Sequence, residues 1–263
     1  DMSGKIFALT FQLLNQSGLV RLADKSATLS HNATFHAAAM PVPENPDRPN
    51  MKNSLKIVAV LLLVAFALGY LFREPLKEMA FARLTQDMFV ASDSDDFDPG
   101  PAVGSHFPGL QATYKGGKVT LIEEFAGANG TAFIASRSVD WCPYCMRQMI
   151  QLQENKAGFD AAGIGLVAIT YDDPALQQAF IDKFGITIPV LSDVNALTFK
   201  TLGILNEDYE AGDFQYGIPH PGMIVIDPQG IVVGKQFLEA YSTRVDSRAA
   251  LAFARAALGI DPL

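Results

Sequence analysis

The chain holds two cysteines, Cys142 and Cys145, set three positions apart in Trp141-Cys142-Pro143-Tyr144-Cys145. A thiol pair at this spacing suits dithiol–disulfide exchange. If a helix begins at Pro143, the Cys142 sulfur meets unpaired backbone N–H groups and the positive end of the helix dipole, both of which favour the attacking thiolate. Pro143 occupies a first-turn position where its missing N–H costs nothing. Cys145 lies one turn along, within reach of a mixed disulfide on Cys142. Cys142 is therefore assigned as nucleophile and Cys145 as resolving thiol. A purely structural bridge closing so short a loop would constrain the unfolded chain weakly. A zinc site would need two further ligands. Of the 4 histidines, only His220 is placed convincingly for one. No metal and no cofactor is expected.

Composition narrows the field. With 263 residues, 49% of them hydrophobic, the chain is long enough for a sizeable core, and its formal charge of −8 argues against a nucleic-acid partner. Beyond about residue 105, strand-like and helix-like patterns alternate. Lys118–Phe125 and Thr131–Arg137 read as strands around the turn Gly127-Ala128-Asn129-Gly130. A helix follows from Pro143 to about Ala157, then a buried-type strand over Ile164–Tyr171. Pro174–Phe184 reads as a helix closed by Gly185, Pro189–Leu191 as a short strand and Asn195–Leu202 as a helix. Gly222–Asp227 and Ile231–Gln236 flank the turn Asp227-Pro228-Gln229-Gly230 as a hairpin, and Asp246–Leu258 is a closing helix. The pattern predicts an α/β fold with a mixed central β-sheet flanked by helices.

Trp141-Cys142-Pro143-Tyr144-Cys145 resembles the active site of the thioredoxin superfamily. Two further stretches bring it nearest the redoxin (alkyl hydroperoxide reductase/thiol-specific antioxidant-like) branch. They are Tyr171-Asp172-Asp173-Pro174 with Phe184 to Asp193, and Gly217-Ile218-Pro219-His220-Pro221 running on to Asp227. The resemblance covers residues 103–260. It implies a thioredoxin-like fold and the same roles for Cys142 and Cys145. It also puts Pro221 where such proteins hold a cis-proline that exposes backbone to an extended substrate. His220 precedes it, placed to tune the thiolate or touch substrate. With Trp141, Pro143 and Tyr144, these two complete the expected substrate-binding set. Gln148 stands where some membrane-tethered relatives carry a glutamate, so that proton route is missing. Arg137 and Asp140 read at least as well as structural partners. Peroxiredoxin-like peroxidases use Pro-x-x-x-Thr/Ser-x-x-Cys. Those places hold Ala135 and Val139 counted from Cys142, or Ser138 and Cys142 counted from Cys145, so neither frame fits.

The expected organisation has four parts. Residues 1–50 are a poorly ordered or over-extended start, 55–72 a single transmembrane helix, 73–104 a linker and 105–263 the thioredoxin-like domain. The run from Leu55 to Phe72 would measure about 27 Å, enough to span a hydrocarbon core, with a cleaved signal as the competing reading. Arg48, Lys52 and Lys56 before it, against Arg73 and Lys77 after it, favour a redox domain outside the cytoplasm. Residues 92–101 read as an acidic, flexible tether. The function expected is thiol–disulfide exchange with disulfide- or thiol-bearing proteins, served by an upstream thiol electron donor or acceptor. A peroxiredoxin-like thiol peroxidase and a tethered substrate-binding module with little turnover are the alternatives.

Overall fold

The computed structural model describes residues 51–93 and 95–261. The expectation for residues 1–50 lies outside them. The chain divides into two compact units, residues 1–60 and 61–263. Of the first, only 51–60 are described, as the opening of helix α1 (Met51–Leu71).

The second unit continues α1 and adds α2 (Arg73–Leu84) and β1 (Phe89–Val90). Then come β2 (Ala112–Tyr114), β3 (Gly117–Val119), a 3-10 turn over Ile122–Phe125, β4 (Gly130–Ala135), α3 (Pro143–Ala161), β5 (Ile164–Thr170) and α4 (Pro174–Phe184). β6 (Val190–Ser192), α5 (Leu197–Leu202), β7 (Gly222–Ile226), β8 (Val232–Phe237), β9 (Arg244–Val245) and α6 (Ser247–Ala257) complete the order.

Seven strands form one mixed sheet in the order β3-β2-β6-β5-β4-β7-β8. β4, β5 and β6 run parallel, while β7 pairs antiparallel with β4 and β8 antiparallel with β7. Because strand side chains alternate faces, β4 sends Ala132 and Ile134 into a core with Met149, Leu152 and Phe159 of α3 and Leu251 of α6. Its Phe133 and Ala135 enter a second core with Phe199, Leu202 and Ile224 on the opposite face. A strand buried on both faces reads as a continuous apolar run, which is why β4 and β5 are plain in the sequence.

Several boundaries differ from the pattern reading. The strand expected over Lys118–Phe125 stops at Val119 and becomes the 3-10 turn. The helix expected from Asn195 begins at Leu197, because Asn195 (φ 71) and Ala196 (φ 56) take left-handed backbone. The Asp193 carboxylate accepts the Thr198 and Phe199 N–H groups, each at 2.9 Å, and so fixes that start. Gly185 closes α4 at φ 62, as its position after Phe184 implies.

Two N-terminal expectations need correction. Residues 73–104 are not a plain linker, and 92–101 are not a free tether. β1 pairs in parallel with β9. The carboxylates of Asp93 and Asp95 accept the backbone N–H groups of Phe237 and Glu239, both at 3.0 Å. β8 is a sheet edge, and edge N–H groups need acceptors; the acidic run supplies them. The apolar run does not form one membrane-crossing helix either. No single helix among the described residues is long and apolar enough. Only Lys56–Leu71 and Arg73–Leu84 together qualify by length and composition, with a 60° bend between them. The second carries Arg73, Glu74, Lys77, Glu78 and Arg83. From Leu61 to Phe72 the large apolar side chains are exposed.

Candidate active site

The dithiol sits between β4 and α3. Cys142 is the N-cap of α3, with extended backbone (φ −91, ψ 104), and Pro143 follows at the first turn. The Cys145 N–H donates to the Cys142 sulfur at 3.4 Å, and the two sulfurs lie 2.6 Å apart as free thiols. Both are buried, Cys142 to 1% and Cys145 to 0% exposure. A substrate sulfur therefore reaches Cys142 only when the surrounding shell opens locally.

The loop that presents the pair is held by a buried carboxylate. Asp172, at the end of β5, accepts the Ser138 hydroxyl at 2.7 Å, the Val139 N–H at 2.7 Å and the Thr170 hydroxyl at 2.8 Å. The Ser138 oxygen in turn accepts the N–H groups of Asp140 and Trp141. Burial pushes the Asp172 carboxyl above its usual range, against the pull of these hydrogen bonds. A carboxyl raised in the fold takes up protons on folding, so it favours the native state on the acid side and loses that contribution as pH rises through its folded value. Asp172→Asn keeps one acceptor and leaves one buried donor unmet, a cost of about 1–3 kcal/mol. In denaturant titrations the deficit should be largest at acid pH and narrow toward neutrality. A constant deficit would show that Asp172 does not titrate in this way.

Sequence reasoning missed Arg244. It lies on β9, 99 positions from Cys145, and places Nη2 3.4 Å from that sulfur. The rest of its guanidinium is tied down: Nε donates to Gln148 Oε1 at 3.0 Å, and Nη1 donates to the carbonyls of Tyr241 and Thr243, both at 2.7 Å. It is only 2% exposed. The segment leading into β1 holds it in place, since the Arg244 N–H donates to the Met88 carbonyl at 2.8 Å. No local signal marks this residue, because a two-residue strand paired with another two-residue strand has no period to read.

This arginine alters the electrostatics expected of the pair. Burial opposes charge on Cys145, yet the hydrogen bond from Cys142 and the Arg244 charge together hold its thiol well below the ordinary range. Cys142 is pushed up, first by its hydrogen bond to Cys145 and then by burial. Of the two sulfurs, Cys145 is therefore the one whose thiolate the surroundings favour, through Cys142 and Arg244. The helix N-terminus alone would favour the reverse. A guanidinium in contact outweighs it, because the dipole is equivalent to only about half a charge. Gln148 acquires a role here: a neutral amide orients Arg244 without neutralising it, as a glutamate would.

The other expected residues are placed unevenly. Trp141 donates from Nε1 to the Tyr171 hydroxyl at 2.7 Å and stacks near Phe214, with ring centroids 5.3 Å apart. Tyr144 meets Tyr241 edge-on at 6.0 Å. Pro221 is buried but not cis, since the described residues contain no cis peptide bond. The Leu205–Pro219 bridge and the 2.8 Å bond from the His220 N–H to the Ile204 carbonyl hold the approach to β7 extended, which a trans bond satisfies. His220 does not join the dithiol. Its ring packs on Phe97 at 4.8 Å, and burial lowers its basicity. Arg137 and Asp140 do not pair: none of the ion pairs among the described residues includes either.

A mixed sheet flanked by helices, with a cysteine at the N-cap of the helix following a central strand, defines a thioredoxin-like fold. Residues 103–235 match the AhpC/TSA family, and the chain belongs to that family. A Mycobacterium tuberculosis protein whose name groups it with the peroxiredoxins is 30% identical over 95 residues, covering 36% of this chain and 60% of that protein's length. An Aeropyrum pernix peroxiredoxin is 19% identical over 138 residues, covering 50% of this chain and 53% of that protein. Peroxiredoxin 6 of Arenicola marina superposes with a TM-score of 0.52 at 16% identity, over 59% of this chain and 72% of its own. A peroxiredoxin-like protein from Aquifex aeolicus superposes at 0.51 with 21% identity, over 61% and 90%. At such identities the structural likeness is one of fold alone.

Proposed function

We propose that the protein is a thiol–disulfide oxidoreductase working through Cys142 and Cys145. The observation that carries this reading is the second buried sulfur, in contact with Arg244 and within reach of the first. Cys142 attacks one sulfur of a substrate disulfide and passes its proton to the neighbouring Cys145 thiolate. The substrate S–S bond breaks, one substrate sulfur leaves as a thiolate and the other is held on Cys142. Cys145 then gives its proton to the departing substrate thiolate, a loss favoured by Arg244, and attacks Cys142. The second substrate thiolate leaves, two electrons have passed to the substrate, and the protein holds a Cys142–Cys145 disulfide. An upstream thiol donor restores the dithiol; with oxidising partners the same steps run backwards.

A second reading, thiol peroxidase, draws on the peroxiredoxin relatives. Against it stand Ala135 in the place of the proline and Val139 in the place of the hydroxyl residue, counted from Cys142. Single-turnover oxidation of the reduced full chain separates the two. Protein disulfide should oxidise the dithiol faster than hydrogen peroxide at equal concentration, and the reverse order would favour the peroxidase. Location is part of the proposal: the exposed apolar face of Leu61–Phe72 suits attachment to a membrane, with the redox domain on the extracytoplasmic side. Release of the full chain from membranes by salt alone would refute attachment, and protection of the domain from protease added outside the cytoplasmic membrane would refute the orientation.

A further inference from the structure

Arg137, just beyond β4, is 6% exposed, and its Nε has no hydrogen-bond partner. None of the ion pairs among the described residues includes it. Its guanidinium carbon lies 5.2 Å from the ring centre of Trp141 and 5.1 Å from that of Tyr241. Two aromatic rings attract a cation but offer no in-plane acceptors for its N–H donors. A guanidinium this buried ordinarily has a carboxylate on its fork. Both neighbouring rings belong to the shell of the dithiol. Trp141 precedes Cys142, and Tyr241 touches Tyr144, which stands between the cysteines. Tyr241 (59% exposed) and Phe214 (68% exposed) open this shell to solvent.

We infer that Arg137 is an anion-binding residue that receives a carboxylate of the substrate, and that the site selects disulfides carrying a carboxylate a few bonds from the reacting sulfur. The inference rests on the dithiol reading for the identity of the reacting group. The overall charge of −8 disfavours small anions at long range, so a preference for them has to come from a local cation. A planar carboxylate fits the fork in two parallel bonds, whereas a neutral group of equal size meets the same rings without them.

The test uses the oxidised full chain, which binds without turnover, and the fluorescence of Trp141, the only tryptophan. The probes are dithiodiglycolate and the neutral bis(hydroxyethyl) disulfide. Dithiodiglycolate should bind about tenfold more tightly or better, the scale of one charge-assisted pair, and its advantage should shrink with added salt. Arg137→Gln should bring the ratio of the two affinities to about one, and Arg137→Lys should keep part of it. Equal affinity for both probes in the unmodified protein, or a preference that survives in Arg137→Gln, would overturn the inference. If Arg137→Gln does not fold, Arg137→Lys and the salt dependence decide: no loss of preference in either overturns it. Because no exchange is needed for binding, a carboxylate preference without disulfide exchange would fail the proposed function alone, and exchange without the preference would fail this inference alone.

Discussion

Serine in place of Cys142 is expected to lower disulfide exchange by ~10⁴-fold or more, the scale on which enzymes lose a covalent nucleophile. The substitution removes the sulfur that bonds to substrate, while the serine hydroxyl keeps a donor beside the Cys145 sulfur. Serine in place of Cys145 should have a different signature. The first attack survives at a reduced rate, because the neighbouring thiolate no longer takes the Cys142 proton. The mixed disulfide then has no internal thiol to resolve it and accumulates. Non-reducing electrophoresis after incubation with a protein disulfide should show this adduct for Cys145→Ser and none for Cys142→Ser. Full exchange activity in Cys142→Ser would support a binding module that turns over little, and an adduct in that variant would reverse the assignment of roles.

The second large effect concerns Arg244. Its guanidinium is buried and uses donors on Gln148, two carbonyls and the Cys145 sulfur. Arg244→Gln breaks this network, at a cost of about 3–5 kcal/mol in stability. The redox consequence is the sharper one. Arg244 stabilises a thiolate that exists only in the reduced protein, so its loss weakens the reduced form and makes the dithiol more reducing, by ~30 mV for each tenfold change in equilibrium. The first thiol proton should be lost at a higher pH. A thiol depressed in the fold contributes stability that is complete above its unfolded value, about 8.5, and is lost as pH falls through the folded value. The reduced wild type should therefore gain stability over Arg244→Gln as pH rises through that window. Gln148→Glu is the gentler companion: its carboxylate competes for Arg244 and should shift potential and thiol titration in the same direction with the fold intact. Unchanged potential and titration in both variants would remove Arg244 from the chemistry.

The contrast between Cys145 and Arg244 shows what a sequence exposes and what it hides. The dithiol, Pro143 at the helix start and Gly185 at a helix end are local, because each is a residue type at a spacing that one turn of backbone explains. β4 and β5 were legible because burial on both faces makes them continuously apolar. β1, β2 and β9 were not, since strands of two or three residues carry no period and exist through their partners. The acidic run at 92–101 has the composition of a tether, and only the unpaired edge of β8 turns Asp93 and Asp95 into acceptors. Pro221 has the right position for a cis bond, but the ladder before β7 decides its geometry. His220 and Arg137 exchanged expectations for the same reason: a ring stack or a missing partner is set by elements far away in sequence.

The most direct test of the dithiol account is a titration of the full chain in glutathione buffers, followed by Trp141 fluorescence and by thiol trapping. One reversible two-electron transition is predicted, in which Cys142 and Cys145 lose trappable thiols together and Trp141 reports the same midpoint. Thiols that stay trappable across the whole range, or a Trp141 signal that does not follow them, would contradict it.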